Sequence, residues 1–205
     1  MKNIKRFDAL IPALAVALFA VLPAQGAGRP KDPDWPCQQN KVAEFPLASV
    51  WDGPPINLGA TGWRDDPETE KLVAQMSQRR VPIAEVTAAV GRMLDANAPA
   101  AREKLKQAFA AAFDDLVRQR AEVIAGLDRY GRRMREMADQ IRTENETAHK
   151  EETPGVATDD SALQKLQWDL RVYDDRRRTV HYVCEAPQAI EARIGAIVKL
   201  VRAAF

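Results

Sequence analysis

From Leu105 onward, apolar residues recur at alternating steps of three and four: Leu105, Phe109, Phe113, Leu116, Val123, Leu127, Tyr130, Met134, Met137 and Ile141. Arg120 is the one polar residue on that seam. A heptad spacing kept for about five repeats predicts one long helix, from about 100 to 149, with one edge laid against a partner helix. Thr153-Pro154-Gly155 stops it, because proline cannot continue a helix and glycine favours a turn. Ser161 and Gln164 read as a capping box for a new helix. The same spacing then returns as Leu163, Leu166, Leu170, Tyr173, Arg177, Val180 and Cys184. Pro187 interrupts it, and Ile190, Ile194, Ile197, Val201 and Phe205 resume it. A kink or short break is expected at Pro187, without a change of direction.

The two arms have matched lengths, roughly 70 Å each at 1.5 Å per residue. Folded about the turn, Ile141 faces Leu170, Met134 faces Arg177, Leu127 faces Cys184, and Arg120 meets an acid, Glu191. Such a pair sets register more than it stabilises.

Upstream, Asp66 suits an N-cap and Pro67 the first helical position. Leu72, Val73 and Met76 make a short apolar stripe. Pro82 opens a second helix with Ile83, Val86, Val90, Met93 and Leu94 on one side, and Pro99 opens the long third one. The two short helices are expected against residues 100–120 and 190–205, turning the open end of the long pair into a four-helix bundle. The end near 130–175 then projects as a bare two-helix arm. Residues 28–64 carry Trp35, Trp51 and Trp63 among dense prolines. Proline precludes helix there, while that much aromatic surface argues against a disordered tail. The segment reads as an ordered strap across the helices. Gly126 and Gly131 either form a shallow groove for Trp35-Pro36-Cys37 or are chance glycines on a solvated face.

The expected fold is all-α: a long antiparallel, coiled-coil-like helical hairpin with two short helices at its open end and an extended Pro/Trp-rich N-terminal strap. The divisions are a signal peptide over 1–26, the strap over 27–64, a short helical hairpin over 65–98, and the long hairpin over 99–205 with its turn near 152–160. The signal reading rests on Lys2, Lys5 and Arg6 ahead of an apolar run from Ala9 to Pro23, then Ala24 and Gly26. As a helix that run spans about 22 Å, short of the ~30 Å bilayer core. No stable membrane span is expected after cleavage, and the protein is expected to be periplasmic or secreted.

The chain has 30 Lys+Arg and 29 Asp+Glu. Removing Lys2, Lys5, Arg6 and Asp8 with the signal leaves 27 basic and 28 acidic residues. A near-neutral chain argues against general nucleic-acid binding. Two cysteines in an exported chain, Cys37 and Cys184, suggest a disulfide. Two buried thiols and a reactive thiol are the alternatives.

His181 lies one turn before Cys184, a spacing that allows Cys-His nucleophilic chemistry. Nothing orients that histidine, and His149 sits apart near the turn. No paired-ligand metal motif, phosphate loop or nucleophile elbow occurs. No cofactor, catalytic residue or metal site is therefore expected. Glu144, Glu146, Glu151, Glu152, Asp159 and Asp160 surround the turn; they read as a solvated acidic tip or, alternatively, as oxygen ligands for a hard cation. Arg129, Arg132, Arg133, Arg135 and Arg142 on one arm, and Arg171, Arg176, Arg177 and Arg178 on the other, form a belt. It is either a solvated helical surface or a docking site for an acidic partner or phosphate groups. Arg129, Arg132, Arg133, Arg176 and Arg178 are the expected partner-binding residues. The function expected is that of a non-catalytic interaction protein (an accessory subunit, adaptor or chaperone) recognising another envelope protein or a second copy of itself. The alternative is a periplasmic small-ligand or metal-ion binding protein, and an enzyme is the least favoured class.

Overall fold

The computed structural model describes residues 32–95, 100–151 and 160–205, with the backbone alone for 149–151. The expected signal peptide, Pro99 and the turn near 152–160 lie outside the described residues. Among those described the protein is all-helical, with no strand. Two short 3₁₀ turns, Leu47–Ser49 and Gly62–Asp65, precede α1 (Pro67–Ser77), α2 (Ile83–Asp95), α3 (Ala101–Glu151), α4 (Asp160–Cys184) and α5 (Ala186–Arg202).

Local chemistry sets the boundaries. Asp66 caps α1: its carboxylate accepts from the Thr69 amide at 3.1 Å and from the Thr69 hydroxyl, with Pro67 at the first position. Pro82 precedes α2, and its carbonyl accepts from the Glu85 and Val86 amides. α4 starts at Asp160, so Ser161 lies inside the first turn and not at the cap where its hydroxyl was expected. Helix ends shift this easily, because neighbouring polar residues compete for the same free amides. The break before Pro187 falls at Glu185, which keeps a helical backbone, so α5 follows α4 after one residue. Proline disfavours a helical residue before it and removes one amide donor, which is enough to interrupt the ladder.

The core sits at one end. Leu72 and Met76 of α1, with Val86, Val90 and Met93 of α2, pack on Leu105, Phe109, Phe113 and Leu116 of α3 and on Ile190, Ile194, Ile197 and Val201 of α5. These are the seam residues of the two long patterns, joined by the two short helices. Beyond Leu127 burial thins: Met134, Met137 and Ile141 are half-buried, and in α4 only Leu166 and Cys184 are buried.

Partners fall in number along α4 and α5 as they rise along α3. Arg120 meets Glu191 at 2.7 Å, the Tyr130 hydroxyl donates to the Arg176 carbonyl, Gln140 reaches Asp169, and Glu144 meets Lys165. Leu170, expected on the seam, is 43% exposed. The facing stripe of α4 runs through Leu166, Asp169 and Tyr173, so Asp169 takes the inner place beside Lys165 and Gln140. Phe205 is likewise exposed, because α5 ends at Arg202.

Candidate functional site

The strap runs down α3 in register. Asp34 engages Arg132 at 3.6 Å and Arg135; Lys41 bridges Asp32 and Asp128, each at 2.8 Å. These two carboxylates, Asp128 first, raise the Lys41 pKa above its usual value. Lower down, Phe45 packs near Phe113, Trp51 lies 4.8 Å from Phe109, and Arg202 pairs with Asp52 at 2.6 Å. Cys37 is disulfide-bonded to Cys184, with Cα atoms 5.6 Å apart, and Gln39 donates to the Cys184 carbonyl. Trp35, Trp51 and Trp63 are half-buried.

Gly131 is where backbone meets backbone. A side chain there would collide with the Asp34 carbonyl and lie 3.3 Å from the Pro36 ring. Gly126, for which a groove and a chance glycine on a solvated face were both open, has only the flexible Arg129 head nearby and takes no part in the groove.

Two arginines are buried. Arg120, 3% exposed, donates through Nε to Glu191 and through its terminal nitrogens to the Val42 and Ala43 carbonyls, with its plane near the Phe45 ring. It joins α3, α5 and the strap. Arg193 donates to the carbonyls of Gln75, Met76 and Val81 at 2.6–2.8 Å. It closes the C-terminal end of α1, where a cation also suits the helix dipole. Burial lowers its pKa from the ordinary arginine value. The sequence reading missed Arg193. Its one signal was a charge beside the apolar Ile190 and Ile194.

The expected partner-binding arginines separate into two groups. Arg132 is tied to Asp34, and Arg178 lies 4.0 Å from Asp175. Arg129, Arg133 and Arg176 have exposed side chains with no ion pair among the described residues, although the Arg176 carbonyl serves Tyr130. On the outer face of α4, Trp168 is 61% and Tyr182 67% exposed. Arg171 lies over the Trp168 ring and His181 stacks on Tyr182. His181 is exposed and its Nδ1 contacts the Arg178 carbonyl at 2.6 Å, while the Cys184 sulfur is held in the disulfide. No thiolate is thus available at that pair in this structure.

Surface depressions lie between several of the described elements. One of about 470 Å³ lies between the Leu58–Arg64 loop, α1 and α3, lined by Trp63, Val73, Ala111 and the Asp115–Arg118 pair. One of about 150 Å³ sits beside Arg120. One of about 230 Å³ lies between α3 and α4 where the strap begins. No cluster of metal-ligating side chains occurs among the described residues, and no described helix is long and apolar enough to cross a membrane. Comparisons with family models, curated proteins and solved structures find no match. The disulfide is compatible with an oxidising compartment outside the cytoplasm.

Proposed function

We propose that this is an exported, non-catalytic interaction protein that presents a helical hairpin arm, built from α3 and α4, to another envelope protein. In this reading α3 and α4–α5 form an antiparallel, coiled-coil-like pair anchored in the bundle at the other end. The observation that carries it is the surface of the arm. Trp168 and Tyr182 stand exposed on α4, among exposed arginines on both helices. Tryptophan, tyrosine and arginine supply most of the binding energy at protein interfaces. Leu170 and Val183 of α4 are exposed as well, apolar surface that a partner could cover.

The test is capture from envelope extract with wild type and with a charge-reversed variant carrying Arg129→Glu, Arg133→Glu, Arg176→Glu and Arg178→Glu. A specific partner held by wild type and lost by the variant supports the reading. Equal capture by both, or no partner and no self-association, refutes it.

A second reading, small-ligand binding, is favoured by the groove under Trp63, whose volume lies in the range of ligand sites. A saturable ligand-dependent quench of Trp63 fluorescence, absent in Trp63→Phe, would support it over the first.

A further inference from the structure

The strap demonstrates what kind of segment the α3–α4 surface accepts. Pro33, Asp34 and Pro36 lie on it, the Asp34 carboxylate between Arg132 and Arg135 and its carbonyl against Gly131. Beside the strap a hollow of about 230 Å³ remains, between Pro33 and Pro36, Tyr130, Met134 and Ala138 of α3, and Tyr173, Arg177 and Val180 of α4.

Arg177 marks what belongs in that space. Two arginines interrupt the apolar repeats of the sequence, Arg120 buried and Arg177 exposed. Arg120 is neutralised by Glu191 and two carbonyls. Arg177 has neither an ion pair nor a hydrogen bond among the described residues, and it edges a groove whose other arginine, Arg135, is already paired with Asp34 and whose remaining walls are apolar or tyrosine. A cation there calls for a carboxylate, and two tyrosines suit proline rings, whose extended conformation is preformed.

We infer that this groove binds an extended, acidic, proline-containing peptide segment of a partner protein, laid alongside Pro33 to Pro36. The inference rests on the arm being a docking surface and names the site and chemistry on it. Recognition is by charge at Arg177 and by stacking at Tyr130 and Tyr173.

The probe is a fluorescein-labelled decapeptide of two Asp-Pro-Asp-Trp-Pro units, followed by anisotropy against the full chain. Saturable binding is expected, weakened about tenfold or more by Arg177→Glu, by asparagine in place of each aspartate, and by raised salt. Arg177 is exposed, so circular dichroism of the variant should match wild type. Absence of saturable binding, or equal affinity for wild type and Arg177→Glu, overturns the inference. So does a dimer in sedimentation that Arg177→Glu dissociates, since a second copy would then fill the groove. If the captured envelope partner is lost on charge reversal of the four belt arginines but retained by Arg177→Glu, the groove assignment fails and the arm reading stands. If charge reversal changes nothing, the arm reading itself fails.

Discussion

Arg193 directs all three faces of its guanidinium at backbone carbonyls of Gln75, Met76 and Val81. Replacing it by methionine keeps much of the apolar volume but leaves those carbonyls short of donors. Arg193→Met should therefore cost on the order of 3 kcal/mol, read as a lower urea midpoint at unchanged slope. The two arm glycines should respond in opposite directions. Gly131→Ala drives a methyl into the Asp34 carbonyl and should destabilise by about 1–3 kcal/mol. Gly126→Ala meets only a mobile arginine head and should stabilise by up to about 1 kcal/mol through helix propensity. Thermal melts of the pair decide between a groove and chance glycines at each position. The Arg120–Glu191 pair was legible in the sequence, because one charge on an apolar seam must find an opposite charge across it. Arg193 was not, because its partners are carbonyls, which leave no mark on side-chain pattern.

At the scale of elements, the strap is held by charge at one end, by aromatic packing at the other and by a covalent bond between. The Cys37–Cys184 bond spans 147 positions, for which chain entropy alone gives up to about 5 kcal/mol. The Cys37→Ser, Cys184→Ser double variant should melt lower by a large part of that, while far-ultraviolet circular dichroism keeps its helical amplitude. The core residues of α1, α2, α3 and α5 do not depend on that bond. The cap of α1 predicts an acid response. Hydrogen bonds from Thr69, then Lys104, hold the Asp66 carboxyl below its ordinary value of 3.8. A depressed carboxyl stabilises the fold above the unfolded value and loses that contribution as pH falls through the folded one. Urea midpoints of wild type should therefore drop more steeply below about pH 4 than those of Asp66→Asn. Helix order and length were legible because long apolar periodicity and proline punctuation agree. The inner stripe of α4 was not fully so: Asp169 displaces Leu170 because a two-helix contact with no third layer lets a polar cluster take the inside.

For the whole molecule, the core residues of α1, α2, α3 and α5 gather at one end, while burial thins where α3 meets α4. Substitutions in the core should unfold the protein, and substitutions of exposed arm side chains such as Arg129, Arg133 and Arg176 should leave its melt unchanged. That division depends on α4 returning along α3, as the pairs Tyr130–Arg176, Gln140–Asp169 and Glu144–Lys165 imply. Spin labels at exposed Arg142 and Gln167 test it by electron–electron distance measurement. With the helices side by side, interaxial spacing of 8–10 Å plus two linkers gives one narrow peak at about 20 Å. Were α4 instead to continue in line from α3, the 25 positions between the labels would place them about 38 Å apart or more, and a peak there, or no defined peak, would contradict the account.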